Sequence, residues 1–148
     1  FFPIQELYLH APHYHTGSVV LYIPMRLSRR KFEALVLEAL EGIPEPIRER
    51  MQNVDVVIED WPEEDQLTEL GMEPDELLFG LYEGTPLTER GISEHSLLPD
   101  KITIFQGPLE DAYESDDEIK EEIRKTVVHE VAHHLGIDEE RLAELGYD

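Results

Sequence analysis

A long amphipathic helix near the C-terminal end constrains the fold of this chain more than any other feature of its sequence. Ser115 and Glu118 form an S-x-x-E capping box, in which each side chain can bond the backbone amide of the other residue. Apolar residues then recur at every fourth position, on one face of a helix: Ile119, Ile123, Val127 and Val131. Because Gly136 suits the end of a helix, the pattern predicts a helix over residues 116–135.

The second half of this helix carries an H-E-x-x-H motif, His129-Glu130-Val131-Ala132-His133. Residues four apart lie on the same face of a helix, so His129 and His133 can bind one metal ion together. Neutral imidazoles suit zinc, and Glu130 is then placed to act on a zinc-bound water. Glu130 is therefore predicted to be the general base, which accepts a proton from the water and passes it to the leaving amine.

A third metal ligand is expected just after the helix, because Gly136 allows a left-handed turn that folds the chain back. Two carboxylates follow His133 at the right distance, Asp138 and Glu139. Asp138 is also suited to cap a last short helix, which would commit its oxygens to backbone amides. Glu139 is therefore favoured as the third zinc ligand, with Asp138 as the alternative.

Other groups that a hydrolytic site needs are less well defined by the sequence. His134 lies about 100° round the helix from His133, so it is either a neighbour of the ligands or, as favoured, simply a polar residue. A hydrogen-bond donor to the transition state is expected among four side chains: Tyr82, Tyr113, Tyr147 and His95. Lys101–Gln106 is interpreted either as an exposed edge strand that could pair with a peptide, or as an interior strand.

The rest of the sequence predicts short helices and strands. Helices are expected where apolar spacing or a cap is present: residues 29–41, 63–70 and 138–144. Residues 46–51 are expected to form a short helix or a turn. Strands are expected where β-branched and aromatic residues cluster between turn residues: residues 54–59, 77–83 and 101–106. Residues 84–98 are predicted to be a loop. This order predicts an α/β (α+β) fold, in which a small mixed sheet of three to four strands packs on helices that include the long one.

The composition of the chain changes at Met25. Residues 1–24 contain one charged side chain, Glu6, whereas all 12 basic residues and the rest of the 34 acidic ones follow. The segment lacks the basic start and small-residue cleavage pattern of a signal peptide. We therefore predict that residues 1–24 are a non-native or flexible leader and that residues 25–148 form a single domain. The alternative is a genuine N-terminal strand over residues 18–23.

Charge and composition exclude several classes of partner. The 34 acidic and 12 basic residues produce a net charge of −22, which argues against binding to nucleic acid or to an anionic membrane. Cysteine is absent, which excludes disulfides and thiolate metal sites and favours a cytoplasmic location. No apolar run approaches the ~20 residues of a membrane span. A monomer or a weak homo-oligomer is expected.

The C-terminal residues resemble a known family. The string His129-Glu130-Val131-Ala132-His133-His134-Leu135-Gly136-Ile137-Asp138-Glu139 is similar to the ending H-E-x-x-H-H-x-G-x-x-(D/E) of small bacterial zincin-like metallopeptidases, the minimal zincins. The resemblance covers residues 25–148 and implies a compact α/β domain, a zinc-binding active-site helix and peptidase activity. In the larger metzincins the third ligand stands at the position of Glu139. The methionine turn of those enzymes follows the motif and is expected to be absent here, because all the methionines precede it: Met25, Met51 and Met72.

The sequence therefore predicts a zinc-dependent metallopeptidase that hydrolyses peptide bonds with metal-activated water. Its substrate is expected to be a peptide or protein of unknown identity. The alternative is a non-catalytic module that binds metal or another protein, as the missing methionine turn and the acidic composition would allow. A third possibility is that the motif binds no metal and is a coincidence on an amphipathic helix.

Overall fold

The computed structural model describes residues 4–7, 13–16, 19–22, 25–73, 75–84 and 99–147, the first three ranges by their backbone alone. Within these ranges the chain forms six α-helices: α1 (Arg29–Glu41), α2 (Glu45–Arg48), α3 (Glu64–Glu69), α4 (Gln106–Ala112), α5 (Asp116–His134) and α6 (Glu139–Glu144). A short 3-10 helix, Glu49–Met51, follows α2 directly. The same ranges contain six strands: β1 (Ile4–Leu7), β2 (His13–Thr16), β3 (Val19–Tyr22), β4 (Val54–Glu59), β5 (Glu76–Glu83) and β6 (Asp100–Phe105).

Four of the strands form one mixed sheet, in the order β1-β5-β6-β4. Strands β4 and β6 are parallel, whereas β5 is antiparallel both to β6 and to β1. Strands β2 and β3 form a separate antiparallel hairpin. The predicted fold class, a small mixed sheet of three to four strands packed on helices, is thus confirmed. Strand β6 lies between two neighbours, so the interpretation of Lys101–Gln106 as an exposed edge strand is wrong, and the interior-strand alternative is right.

The long C-terminal helix predicted from the capping box is confirmed as α5. Its Ser115 side chain accepts a hydrogen bond from the backbone amide of Glu118 at 3.1 Å. The four-residue apolar repeat is buried in the core, as the spacing requires. Helix α1 ends at Glu41, before its C-cap residue Gly42, and packs against α5. Its buried face is formed by Phe32, Leu35, Val36 and Ala39. No helix within the described ranges is long and apolar enough to cross a membrane.

Helix α4 was not predicted from the sequence, where Gln106 closes a strand and a turn is expected after it. The helix contains Gly107 and Pro108, which are poor helix formers in isolation. Gly107 is required by tertiary packing, because a Cβ atom there would lie 2.1 Å from the indole ring of Trp61. The Gly107 amide also donates to the carbonyl of Asp60 at 2.8 Å. Contacts with the residues that follow β4 therefore stabilise this helix.

A buried carboxylate fastens the segment before α1 to helix α4. Glu110 is 8% exposed, and its Oε1 accepts hydrogen bonds from the backbone amides of Arg26 at 2.7 Å and Leu27 at 3.0 Å. Its Oε2 accepts a third from the Gln106 side chain at 2.7 Å. The chain is thus held to the rest of the domain immediately after Met25.

Residues 1–24 contribute β1 to the sheet and form the β2–β3 hairpin. Strand β3 falls within the alternative strand over residues 18–23, but it pairs with β2 and not with the sheet. The division into a leader of residues 1–24 and a domain of residues 25–148 remains a prediction. The predicted loop over residues 84–98 lies, apart from Gly84, outside the described residues.

We expect Glu110→Ala to lower the free energy of unfolding by about 2–4 kcal/mol, because it removes the acceptor of two part-buried amides and one of the two acceptors of the buried Gln106 side chain. Glu110→Gln keeps one acceptor oxygen and is expected to cost about half as much. Urea denaturation measures both, with Glu114→Ala as the control for loss of an exposed acidic residue nearby. Equal losses for Glu110→Ala and Glu114→Ala would show that Glu110 does not fasten the segment.

Candidate metal centre

Helix α5 lies along β5, and its residues match those of the strand at regular intervals. A Cβ atom at Gly80 would lie 2.6 Å from Cγ2 of Thr126, so the glycine allows the close approach of the helix. Four residues further along α5, Glu130 lies at the level of Tyr82, and the backbone amide of Tyr82 is near the Glu130 carboxyl group. Four residues of helix rise about 6 Å and two residues of strand about 6.7 Å, so helix and strand stay matched along their length.

Glu130 is completely buried between α5 and β5. Its side chain has no exposed surface, and neither carboxyl oxygen has a hydrogen-bond partner among the described residues. Burial raises the pKa of Glu130 to about 9, and the nearby amide of Tyr82 opposes this rise to a smaller extent. A buried carboxyl group without a partner is costly for the fold, and such groups are concentrated at functional sites.

His129 and His133 lie on the accessible face of α5 and converge on a single carboxylate oxygen. Oε1 of Glu139 is 3.3 Å from Nδ1 of His129 and 2.9 Å from Nε2 of His133. The centroids of the two imidazole rings are 6.2 Å apart. Ligand atoms around a tetrahedral zinc ion, with bonds of ~2.0–2.1 Å, are about 3.3–3.4 Å from one another. The two distances from Glu139 Oε1 to the imidazole nitrogens are thus close to the separation between two zinc ligands.

The site requires side-chain rotation before it can hold a metal ion. As the side chains stand, no group of three His, Asp or Glu residues within 25–73, 75–84 and 99–147 is arranged to hold one. Glu139 lies between the two imidazoles, and the Nε2 atom of His129 is buried without a hydrogen-bond partner. Glu139 is 60% exposed and free to rotate outward. Two imidazoles and one carboxylate are a ligand set that catalytic zinc uses, so these residues fit the ion chemically.

The backbone after α5 turns back and brings Glu139 beside the two imidazoles. Gly136 has a φ of +80°, and the amide of Ile137 bonds back to the carbonyl of Ala132 at 2.8 Å. Asp138 then caps α6, its Oδ1 accepting from the amide of Arg141 at 2.8 Å. Because this cap uses the Asp138 carboxylate, the alternative third ligand is committed to a structural role.

His134 faces away from the two other histidines and joins a small polar cluster on β5 and β6. Its ring stacks on that of Tyr82, with centroids 4.3 Å apart and planes inclined by 23°. Its Nε2 lies 3.4 Å from Oδ2 of Asp100, a buried carboxylate that also accepts a hydrogen bond from the Tyr82 hydroxyl. Sequence reasoning missed Asp100, since Pro99-Asp100 looks like an ordinary turn before a strand.

The predicted transition-state donors lie in different places. The Tyr82 hydroxyl bonds to Asp100 inside the core, and the Tyr113 ring lies 5.9 Å from that of Phe79. Tyr147 lines a groove of about 450 Å³ with Leu135 and Leu145. His95 lies outside the described residues. That one of these four side chains is the transition-state donor remains a prediction.

An α/β fold with an H-E-x-x-H motif on its long helix defines the zincin-like class of protein. A family model described as zincin-like metallopeptidase matches residues 51–147, and the chain belongs to this family. A solved structure of a conserved hypothetical protein from Thermus thermophilus is similar, with 24% sequence identity and a TM-score of 0.50. The match covers 82% of this chain and 100% of that one, and it supports the fold alone. A search of curated proteins produced no match.

Burial of Glu130 has a consequence for stability that can be measured in zinc-free protein. In the unfolded chain this carboxyl ionises near pH 4.5, whereas in the folded chain its raised pKa keeps it protonated to about pH 9. Between these values the unfolded state binds fewer protons, so stability falls as pH rises. Glu130→Gln carries no charge at any pH, and we expect it to be more stable than wild type by roughly 2–4 kcal/mol at pH 8.

The difference in stability between Glu130→Gln and wild type should shrink towards zero at pH 5, where the Glu130 carboxyl group of the folded wild type is also neutral. Thermal denaturation in the presence of a chelator at both pH values measures it. A difference that does not change with pH would contradict the burial of an ionisable Glu130.

Proposed function

We propose that the protein is a zinc-dependent peptidase, in which His129, His133 and Glu139 hold the metal and Glu130 is the general base. The observation that carries the proposal is the position of Glu139 Oε1, at 3.3 and 2.9 Å from the two imidazoles of the motif. Membership of the zincin-like metallopeptidase family supports the same conclusion. The proposal has three parts, which are the zinc ligands, the general base and the hydrolysis of peptide bonds.

Zinc, when bound, supplies a Lewis acid that makes water acidic enough to lose a proton near neutral pH and that polarises a carbonyl group. Glu130 directly follows His129 in the sequence, and its carboxyl group lies between α5 and β5, near the backbone amide of Tyr82. A desolvated carboxylate is a strong base, and a neighbouring cation returns its pKa towards neutral pH. Glu130 accepts the proton of the attacking water and transfers it to the leaving amine, which releases one new carboxylate and one new amine.

The substrate we propose is a peptide or protein segment, and we expect the protein to act in the cytoplasm as a monomer or weak oligomer. The net charge of −22 supports peptides with basic residues and disfavours nucleic acid and anionic membranes. The absence of cysteine is consistent with a reducing compartment.

A second candidate function is a metal-binding or protein-interaction module without turnover. It is favoured by the direct contact of Glu139 with both imidazoles, since the carboxylate must move before a metal can bind. The two candidates differ in turnover, because only the first hydrolyses peptides.

Glu130→Gln separates the two candidates. For a peptidase, we expect purified wild type to bind about one zinc per chain, and Glu130→Gln to retain the zinc and lose at least about a hundredfold in peptide hydrolysis. Metal content is measured by atomic emission on untagged protein in which His10, His13 and His15 are replaced by Ala, so that leader histidines do not bind zinc. Glu140→Gln, a neighbouring exposed carboxylate, is the control and should behave as wild type. Equal turnover in wild type and Glu130→Gln would exclude this mechanism.

Paired substitutions distinguish the two carboxylates after the helix. We expect Glu139→Ala to weaken zinc affinity by about a hundredfold, with little change in stability, because it removes a ligand from an exposed position. We expect Asp138→Ala to cost about 1 kcal/mol of stability, because it removes the N-cap of α6, and to leave zinc affinity nearly unchanged. Competition with a chromogenic chelator measures the affinity and urea denaturation the stability. The reverse pattern would identify Asp138 as the ligand.

A further inference from the structure

Strand β4 lies at one end of the mixed sheet, and within the described residues no strand pairs with its outer edge. Its parallel pairing with β6 begins where the amide of Asp100 donates to the carbonyl of Asn53 at 2.9 Å. Alternate residues of a strand direct their backbone groups to opposite sides of it. The backbone groups of Val54, Val56 and Ile58 therefore point to the outer edge.

Arg29 of α1 occupies the Ile58 end of this edge, where its side chain donates to the outward carbonyl at 2.8 Å. Among the residues that the structure describes, no hydrogen bond reaches the outward amides and carbonyls of Val54 and Val56. Strand β4 is a mostly apolar strand of six residues without proline, lysine or a bulge, which are features that protect natural edge strands from pairing. The edge can therefore accept another strand.

A groove between β4 and α1 runs along the same edge and is lined mainly by apolar side chains. It has two parts, of about 280 and 360 Å³, and Leu37, Leu40 and Val56 line both. These shared residues lie at the middle of the groove, so Leu37 of α1 is at the level of Val56 of β4. Leu37 is 62% exposed, and a large apolar side chain is thus presented to solvent beside the strand edge.

We propose that the outer edge of β4 and this groove bind the same surface of a second copy of the chain. The two β4 strands pair in antiparallel fashion across a two-fold axis, and two four-stranded sheets become one continuous sheet. The proposal goes beyond the peptidase function and does not depend on zinc. Helix α5 lies along β5, which β6 separates from β4, so both metal-binding faces stay accessible in the dimer.

The charges of β4 select one register for this pairing. Outward residues pair only with outward residues, so the antiparallel registers that keep most of the strand paired are centred on residue 55, 56 or 57. The first places Asp55 opposite Asp55 of the second copy, and the third places Asp55 opposite Glu59. Like charges directly opposite each other are destabilising. The register centred on Val56 places Asp55 opposite Val57, and no two carboxylates of β4 are opposite each other.

The groove is also complementary to a copy of itself. The two-fold axis at Val56 brings Leu37 of one copy beside Leu37 of the other, where both lose contact with water. Two basic and two acidic side chains line the groove: Arg29, Arg48, Glu33 and Glu41. The groove is thus electrically balanced in a chain with a net charge of −22, so a second copy is not repelled at this surface.

Sedimentation equilibrium of the purified full chain tests the proposal first. We expect a dimer whose fraction rises with protein concentration. We also expect the dimer to strengthen when sodium chloride is raised from about 0.05 to about 0.5 M, because salt screens the repulsion between two copies of net charge −22. A monomer at every concentration and salt level would overturn the proposal and would leave the β4 edge to a different partner.

Paired substitutions of Leu37 test whether the dimer uses this groove. We expect Leu37→Glu and Leu37→Lys each to weaken dimerisation by at least about a hundredfold, because like charges then meet at the axis. An equal mixture of the two variants should regain most of the affinity, since unlike charges meet in the mixed dimer. Leu145→Glu and Leu145→Lys change another exposed leucine and should dimerise as wild type, alone or mixed. A dimer that is insensitive to Leu37→Glu, or a mixture that stays monomeric, would overturn the proposal.

Cross-linking tests the pairing of β4 with its copy. Asp55→Cys and Glu59→Cys each introduce one thiol, at an exposed position, into a chain without cysteine. In the register centred on Val56, the two copies of Asp55 are diagonal neighbours about 7–8 Å apart, whereas the two copies of Glu59 are about 20 Å apart. A bismaleimide with a span of about 8 Å should therefore link Asp55→Cys into covalent dimers at least about tenfold more efficiently than Glu59→Cys. Equal linking of the two variants would overturn the pairing.

Discussion

The packing of α5 along β5 is the constraint on which the rest of the site depends. Gly80 allows the helix to approach the strand, and this approach buries Glu130 at the level of Tyr82. His129 and His133 are about 100° and 60° round the helix from Glu130, on the same side of it, so the contact that buries Glu130 leaves both imidazoles towards the accessible side. One interface thus determines which motif residue is enclosed and which are free to bind an ion.

The turn and the helix cap after α5 place the side chain of Glu139 beside those of His129 and His133. The positive φ of Gly136 folds the chain back, and Asp138 begins α6 so that Glu139 lies in its first turn beside the imidazoles. The contacts of Glu139 with both histidines hold the three groups together in the arrangement described. In the proposed peptidase, zinc would replace these contacts with metal–ligand bonds once the exposed Glu139 side chain has moved outward.

Local signals explain why much of the fold and the candidate site could be predicted. A capping box, a four-residue apolar repeat and a terminal glycine are all contained in residues 115–136, so α5 and the positions of His129 and Glu130 on it followed from nearby residues alone. Features that depend on distant contacts were missed. Helix α4 requires the fit of Gly107 against Trp61, and Asp100 gains its role from Tyr82 and His134. Strand order is also non-local, so the interior place of β6 and the pairing of β1 with β5 could not be inferred from single segments.

The central claim is that the two histidines of the motif and Glu139 bind one zinc ion beside a buried Glu130. The most direct measurement is a crystal structure of the zinc-loaded protein, with anomalous scattering recorded at the zinc edge. The account predicts one strong anomalous peak at ~2.0–2.2 Å from a nitrogen of His129, a nitrogen of His133 and an oxygen of Glu139. No peak between the two imidazoles, or a peak coordinated by Asp138 in place of Glu139, would contradict it.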